Sequence, residues 1–209
     1  MPVGDSHLAF AEAAAQDGVV LKNTVDLPWL TELGHITLEH MAEEPPEAAS
    51  AEALGTAAEV LDSIFLDLKG DIDVLVACRV TLLMPIELMH EPTGTLIEID
   101  EAHHFTSFRL AALDSYPADV KLGFDLDEYR ELCRAGAKEQ DGYRRNLPAK
   151  GFGFGGIQRD RAYRDSVRDL GAPAMGHPRL VRIAAIDGDG AAAYERNQEK
   201  LLNLLGAAR

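Results

Sequence analysis

The sequence predicts a single mixed α/β domain, for three reasons. Its 209 residues suffice for one domain with a buried core, and 46% of them are hydrophobic and 26% charged, near the globular average. Apolar side chains first recur at helical spacing, and β-branched runs follow after Gly70. No apolar run approaches the ~20 residues that span a bilayer, and the first residues lack signal-peptide features. We therefore expect a cytoplasmic protein that does not contact the membrane.

Three helices are predicted in the first third of the chain. Residues 6–17 are alanine-rich, and residues 27–41 have amphipathic spacing with Pro28 near the first turn. The proline-containing segment 43–47 interrupts this pattern. A longer helix over residues 50–68 should end at Gly70, which is a typical residue at a helix C-terminus.

Three strands are then predicted at residues 72–78, 80–88 and 95–100. Their short connections favour an antiparallel meander. The later elements are helices at 106–115, 125–137 and 157–170, a strand at 180–184 and a closing helix at 191–208. We divide the chain into a helical extension (1–48), a core (49–186) and a C-terminal helix (187–209). The order over residues 51–184 is helix, three strands, helices, strand.

The charge of the chain is strongly acidic but unevenly distributed. A formal net charge of −15 excludes a protein that coats nucleic acid through bulk charge. Residues 144–182 nevertheless contain nine basic residues and three acids. This basic segment is compatible with local phosphate contacts, or with an ordinary solvated helix face. Cys78 and Cys133 are too few and too isolated for a disulfide framework or a zinc ribbon.

The end of the third predicted strand has the most distinctive chemistry. Because side chains alternate along a strand, Glu98 and Asp100 should lie on one face, with Ile97 and Ile99 on the other. Two carboxylates on one face of a buried strand need a cation or hydrogen-bond donors, and Mg²⁺ or Mn²⁺ meets that need. His104 follows four residues after Asp100 and can supply or accept a proton. His103 is an alternative for that role.

Two other interpretations of this segment were considered. The acids could lie on a solvated face of the sheet, which is common in antiparallel strands. Residues 100–103 also spell Asp-Glu-Ala-His, as in superfamily 2 helicases and ATPases. That class requires an upstream phosphate loop ending in Gly-Lys-Ser/Thr. The chain has none, so ATPase function is excluded.

Residues 96–105 resemble the central motif of the very-short-patch-repair-like branch of the restriction-endonuclease superfamily, the PD-(D/E)xK fold. In that branch the motif is Glu-x-Asp with a histidine four residues later, here Glu98, Asp100 and His104. The resemblance implies a restriction-endonuclease-like α-β-β-β-α-β core. It also implies that Glu98 and Asp100 bind the metal and that His104 assists water activation or phosphate binding.

The upstream acid of the resembled family usually follows a proline, and here Ile86 follows Pro85. The nearest acid is Glu87, which we take as the third catalytic and metal-binding residue. Glu59 resembles a helix glutamate that often faces such sites, and Asp71 and Asp73 are further candidates. If none of them reaches the metal, the protein is an inactive relative.

The basic segment supplies the candidate DNA contacts. A glycine-rich loop at 151–156 leads into the helix at 157–170, whose free N-terminal amides suit phosphate binding. Nuclease folds of this class commonly hold the scissile phosphate with a Gln, Arg or Tyr from a late helix. The predicted nucleic-acid-binding residues are Gln158, Arg159, Arg161, Arg164 and Arg109. Charge pairing within the helix, such as Arg161 with Asp165, is the alternative.

Two functions follow from these observations. The first is a Mg²⁺- or Mn²⁺-dependent DNA endonuclease, with a role in restriction or host defence implied by the resemblance alone. The second is a catalytically inactive nuclease-fold protein that binds a protein partner or forms a homodimer, as the acidic surface favours. Convergence of Glu98, Asp100 and a third acid within ligand distance distinguishes the first from the second.

Overall fold

A computed structural model describes residues 6–77 and 81–206 of the chain. Within these residues it contains a four-stranded sheet and eight α-helices, which makes the fold mixed α/β as predicted. The helices are α1 (Ser6–Gln16), α2 (His35–Glu43), α3 (Ala51–Asp67), α4 (Ile72–Val76), α5 (Ser107–Asp114), α6 (Leu126–Gln140), α7 (Ile157–Ala174) and α8 (Gly190–Leu204). The strands are β1 (Lys22–Val25), β2 (Ile86–His90), β3 (Thr95–Glu101) and β4 (Val181–Ala185). None of the described helices has both the length and the apolar composition that a membrane crossing requires.

The sheet has the order β1-β2-β3-β4 and is mixed. The first three strands are antiparallel to their neighbours, whereas β4 lies parallel to β3 after the helical connection through α5, α6 and α7. In this register Glu98 of β3 pairs with Arg182 of β4, and Ile97 pairs with Leu88 of β2. Glu87, one residue before Leu88, therefore lies beside Glu98. One row across three strands carries Glu87, Glu98 and Arg182.

Helices cover both faces of the sheet and create two apolar layers. On one face, α1 and α8 pack against side chains such as Ile97, Ile99 and Ile183. On the other face, α3, α5 and α7 pack in the larger layer, which includes Leu54 and Val167. The charged row lies on the α7 side, between the sheet and that helix.

The third helix forms as its pattern predicts. Ser50 accepts a hydrogen bond from the backbone N–H of Ala53, which caps the start of α3. Leu61 and Phe65 on its apolar stripe are fully buried. The left-handed residue at its end is Lys69 (φ 63°) and not Gly70. Gly70 has a different role, since a Cβ there would lie 2.4 Å from the Phe65 ring.

The predicted strand at 72–78 is wrong, because these residues begin a short helix. The side chain of Asp71 accepts a hydrogen bond from the N–H of Val74 and caps α4, which overrides the β-branched composition. Leu75 is buried on one side of this turn, while Ile72 and Val76 remain exposed. Cys78, also in that prediction, lies outside the described residues.

The third antiparallel strand of the meander is instead β1, which comes from the segment predicted as an N-terminal extension. The strand predicted at 80–88 begins only at Ile86 and extends to His90, with Val80 outside the described residues. Residues 51–184 thus contain two consecutive strands before the late helices, and not three. Three consecutive antiparallel strands are present only when β1, which lies before residue 51, is included.

The helix predicted at 27–41 begins only at His35. Gly34 has φ 56° and ψ −115°, which interrupts helical geometry, and residues before it form turns. These turns bury Trp29 and Leu30 in the larger apolar layer. The predicted elements at 6–17, 95–100, 106–115, 125–137, 157–170 and 180–184 are confirmed to within a few residues. The closing helix is also confirmed, but it ends at Leu204, a few residues before its predicted end near residue 208.

Candidate metal centre

The acidic strand end lies inside the protein. Glu98 is 4% exposed and Asp100 is 2% exposed, and both face α7, whereas Ile97 and Ile99 face the α1–α8 layer. The interpretation of these acids as a solvated face is therefore wrong. Buried carboxylates need counter-charges or hydrogen-bond donors, and neighbouring elements supply both.

Asp100 comes together with His104 and with Asp165 of α7. The 3₁₀ turn Ala102–His104 follows β3 directly and returns His104 over the strand end. Its Nδ1 lies 3.0 Å from Asp165 Oδ2 and 3.3 Å from Asp100 Oδ1. Ligand atoms of the three residues all lie within 4.8 Å of one another, and among the described residues this is the group of three that can hold a metal ion. The His104 side chain is 18% exposed and opens the group to solvent.

Arg182 of β4 lies directly behind this group and is fully buried. Its guanidinium contacts Asp100 at 2.8 Å, Asp165 at 3.3 Å and Asp169 of α7 at 2.6 Å. Burial opposes the charge of Arg182, but these three carboxylates together raise its pKa above the ordinary value. Burial likewise opposes ionisation of Asp165, yet Arg182 and His104 hold the pKa of that carboxyl well below its usual range. Asp165 therefore remains an anion.

Arg109 lies in the interior of the protein, so its prediction as a nucleic-acid-binding residue is wrong. It is buried, and it donates hydrogen bonds to Asp169, Tyr116 and Ser166. The α5 N-terminus, capped by Thr106, directs it into the layer between α5 and α7. Arg109 thus neutralises an aspartate of the buried network.

Glu87 and Glu98 form a second pair, connected through the backbone. The N–H of Glu87 donates to Glu98 Oε1 at 3.1 Å, and the N–H of Ile99 donates to Glu87 Oε2 at 2.8 Å. Burial and the neighbouring Glu98 carboxylate raise the pKa of Glu87 to about 9. Burial also raises the pKa of Glu98, although Arg168 lies 3.5 Å from its Oε1. The pair therefore holds a proton at neutral pH.

The predicted ligand set is thus divided. Asp100 belongs to the three-residue group, whereas Glu87 and Glu98 form the neighbouring protonated pair. Glu59, on α3, lines a separate cavity of about 450 Å³ with His35 and Asp62. Asp71 and Asp73 belong to the cap and first turn of α4.

Side chains predicted to contact DNA from α7 are mostly engaged within the protein. Gln158 is buried and donates to the carbonyls of Tyr143 (2.6 Å) and Gln140, so it stabilises the turn after α6. Arg159 donates to the Phe152 carbonyl and Arg164 pairs with Asp160. The prediction that Gln158 binds phosphate is wrong, because its side-chain amide faces the interior of the protein.

Arg161 contacts the turn that carries the two histidines. It donates to the carbonyl of His103 at 3.2 Å and to Gln158 Oε1. A pocket of about 230 Å³ adjoins His103 and includes Tyr143, Glu101 and Asp187. It lies beyond the carboxyl ends of the parallel strands β3 and β4, where ligands commonly bind in α/β sheets. Burial, together with His104 and Arg161, lowers the pKa of His103 to about 3, so His103 is neutral.

Sequence reasoning missed two residues of the site. The sequence suggests Asp165 only as a charge partner of Arg161, and Arg182 only as one of the nine basic residues in 144–182. The available signal was a lone arginine inside the apolar run 180–184, because a charge in a buried strand requires a buried partner.

Comparison with known proteins gives one match. A family model described as "Family of unknown function (DUF7255)" matches residues 64–147. The matched residues include Glu87, Glu98, Asp100 and His104 but end before Asp165. No curated protein matches the chain, and no solved structure matches it. Residues 64–147 therefore resemble a family whose description assigns no activity.

Proposed function

We propose that this protein is a divalent-metal-dependent nuclease that hydrolyses phosphodiester bonds of DNA. The observation that carries the proposal is the convergence of Asp100, His104 and Asp165, whose ligand atoms lie within 4.8 Å of one another beside a solvent-facing pocket. Two carboxylates and an imidazole are a common donor set for first-row divalent ions. Their position at the end of β3 is where the resemblance to the very-short-patch-repair-like branch expects a metal.

Asp165 keeps an oxygen for a metal in spite of the adjacent guanidinium. It directs Oδ1 toward Arg182 and Oδ2 toward His104, so the oxygen nearest to the imidazole is not the one that pairs with the arginine. At Asp100, Arg182 donates to both oxygens, so a metal would share Asp100 Oδ1 with the guanidinium. An imidazole ligand suits Mn²⁺ or Zn²⁺ better than Mg²⁺, which prefers oxygen and water. Of the two ions expected from the sequence, the geometry favours Mn²⁺.

The topology supports the nuclease proposal. The elements α1, β1, β2, β3, α7 and β4 follow the order α-β-β-β-α-β, with α2, α3 and α4 inserted between β1 and β2 and with α5 and α6 inserted between β3 and α7. Glu87 on β2 lies beside Glu98 on β3. This is the neighbourhood that the resemblance requires for the upstream acid and the Glu-x-Asp motif.

In this proposal the side chains have distinct tasks. Asp100, His104 and Asp165 would hold the metal ion, which would supply Lewis-acid chemistry for phosphodiester hydrolysis. Asp100 and Asp165 would supply the carboxylate oxygens that bind the ion, and Arg182 holds both side chains in place through ion pairs. The Glu87–Glu98 pair stores a proton on the same face of the sheet. Arg161 donates to the His103 carbonyl and so places positive charge beside the turn that carries His104.

Cleavage of plasmid DNA in Mn²⁺ tests the proposal with a matched pair of variants. His103 and His104 are adjacent and similarly exposed, but only His104 belongs to the ligand group. His104→Ala should lose at least about a hundredfold in rate, as expected when the immediate surroundings of a metal are disrupted, while His103→Ala retains most of its activity. Asp165→Asn should behave like His104→Ala. Equal cleavage by wild type and His104→Ala would refute the assignment.

The second candidate, a non-catalytic binding protein with this fold, is favoured by two observations. Glu98 lies outside the group of Asp100, His104 and Asp165, so the convergence of Glu98, Asp100 and a third acid that distinguishes the nuclease is not met. Arg182 also forms ion pairs with Asp100 and Asp165 without any metal ion. In that case Mn²⁺ would leave the thermal midpoint unchanged. In the nuclease proposal, Mn²⁺ at a hundred times its Kd stabilises the wild type by about 2.7 kcal/mol and does not stabilise His104→Ala.

A further inference from the structure

An exposed aromatic residue lies at the tip of the glycine-rich loop before α7. Phe154 is 79% exposed, the most exposed large apolar side chain in the described residues. Leaving a phenylalanine in water is unfavourable compared with burial against a partner. Its neighbour in the loop, Phe152, is buried against Phe65 in the core. The loop thus anchors one aromatic ring inside and presents the other to solvent.

The loop has a defined conformation that fixes the position of Phe154. Ala149 and Gly153 exchange backbone hydrogen bonds of 3.0 and 2.9 Å. Gly153 and Gly155 on either side of Phe154 have φ values of 66° and 71°, which glycine adopts without strain. Arg159 of α7 donates a hydrogen bond to the Phe152 carbonyl.

The sequence around Phe154 is basic, in contrast to the chain as a whole. From Gly142 to Arg159 the sequence contains four basic residues and no acid, whereas the whole chain has a net charge of −15. Arg144 and Arg145 are exposed. The Arg145 carbonyl lies 3.0 Å from the position of a Cβ on Gly155, so the turn with these arginines adjoins the Phe154 loop. Positive charge and an exposed ring therefore share one surface.

This surface is connected to the candidate metal centre by direct contacts. The Arg144 guanidinium lies 5.2 Å from the centre of the Tyr143 ring, and that ring lies 5.3 Å from the His103 ring. His103 is in turn 4.7 Å from the His104 ring. A chain that contacts Phe154 and Arg144 can thus continue past Tyr143 toward His104.

We infer that this surface binds DNA with unpaired bases, with Phe154 stacking on a base and Arg144 and Arg145 contacting the flanking phosphates. The inference rests on the proposed function and names its substrate class. Exposed aromatic rings beside arginines are the recurring means of binding single strands, because every unpaired base offers a face for stacking. In a duplex the bases are already stacked on one another, so a single protruding ring gains little contact. Single-stranded DNA, or single-stranded segments of a duplex, is the expected substrate.

Fluorescence anisotropy with a labelled single strand of about 15 nucleotides, and with its duplex, tests the inference. The binding buffer contains EDTA, so the assay reports the surface without metal or cleavage. The wild type should bind the single strand more tightly than the duplex. Phe154→Ala should weaken single-strand binding about tenfold, Phe154→Leu should weaken it similarly, and Phe154→Trp should retain it.

The arginines are tested by the salt dependence of binding. The Arg144→Ala/Arg145→Ala double variant should lower the slope of log K against log salt by about 1.4, since each phosphate contact on a single strand contributes about 0.7. Arg134→Ala, which removes an exposed arginine of α6, is the matched control and should leave the slope unchanged.

Equal affinity of wild type and Phe154→Ala for the single strand, or duplex binding as tight as single-strand binding, would overturn the inference. Failure of the proposed function has a different result. If Phe154-dependent binding persists in EDTA but the wild type cleaves no DNA in Mn²⁺, the nuclease proposal fails and the binding surface stands.

Discussion

Replacement of Glu87 by glutamine should stabilise the metal-free protein at neutral and alkaline pH. The pKa of Glu87 is raised from 4.5 to about 9 by burial and by Glu98, so the folded protein holds a proton that the unfolded chain has lost at pH 7. Because the folded state binds more protons, stability falls as pH rises from about 4.5 toward 9. At pH 7 the solution is 2.5 pH units above the ordinary pKa of 4.5. Since each unit corresponds to about 1.36 kcal/mol, keeping Glu87 protonated at pH 7 lowers the free energy of unfolding by about 3 kcal/mol.

Glutamine removes this cost but keeps an oxygen that can accept the hydrogen bond from the Ile99 N–H. The predicted gain is therefore on the order of 2–3 kcal/mol at pH 7–8 and close to zero near pH 4.5.

Urea unfolding in EDTA measures this effect. Wild type and Glu87→Gln are compared at pH 5 and pH 8, and Glu12→Gln, an exposed substitution on α1, is the control. The free energy of unfolding should fall between pH 5 and pH 8 more steeply in the wild type and the control than in Glu87→Gln. Parallel pH profiles for all three proteins, or a loss of stability in Glu87→Gln at pH 8, would refute the assignment of a buried proton to the pair.

Two further substitutions test the packing around the site, each by urea unfolding. Arg182→Met leaves three buried aspartates without their shared counter-charge and should cost about 3–5 kcal/mol, whereas Arg134→Met on the surface should cost less than about 0.5 kcal/mol. An Arg182→Met variant as stable as the wild type would show that other groups neutralise the buried aspartates. Gly34→Ala should cost at least about 2 kcal/mol, because its Cβ would lie 2.2 Å from the Tyr163 hydroxyl at a positive φ. Gly18→Ala, at φ 80° with open space around it, should cost only about 1–2 kcal/mol, and equal losses would contradict the steric argument.

The alternation along β3 could be predicted from the sequence, and it located one half of the site. Period 2 placed Glu98 and Asp100 on one face, opposite Ile97 and Ile99, but their burial depends on the packing of α7 against that face. The sequence could not predict that Glu98 and Asp100 contact different residues, Glu98 with Glu87 and Asp100 with His104 and Asp165. Asp100 meets groups from α7 and β4, which lie 65 and 82 residues further along the chain, and no local pattern encodes such a contact.

The errors in secondary structure have equally local causes. At residues 72–76 a single aspartate cap outweighed β-branched composition. Strand β1 was missed because it has four residues, three of them exposed, and thus no apolar alternation. For Gln158 and Arg109, residue type predicted phosphate contact, but burial decides the role, and burial depends on the packing of α7 against its neighbours.

The most direct test of the account is the position of a metal ion in a crystal soaked in Mn²⁺, located by anomalous scattering. The account predicts one peak bounded by a carboxylate oxygen of Asp100, a carboxylate oxygen of Asp165 and the imidazole of His104, with metal–ligand distances of about 2.0–2.3 Å. The peak should be absent from His104→Ala crystals soaked in the same way. A wild-type crystal without a peak at these residues, or with the ion bound between Glu87 and Glu98, would contradict it.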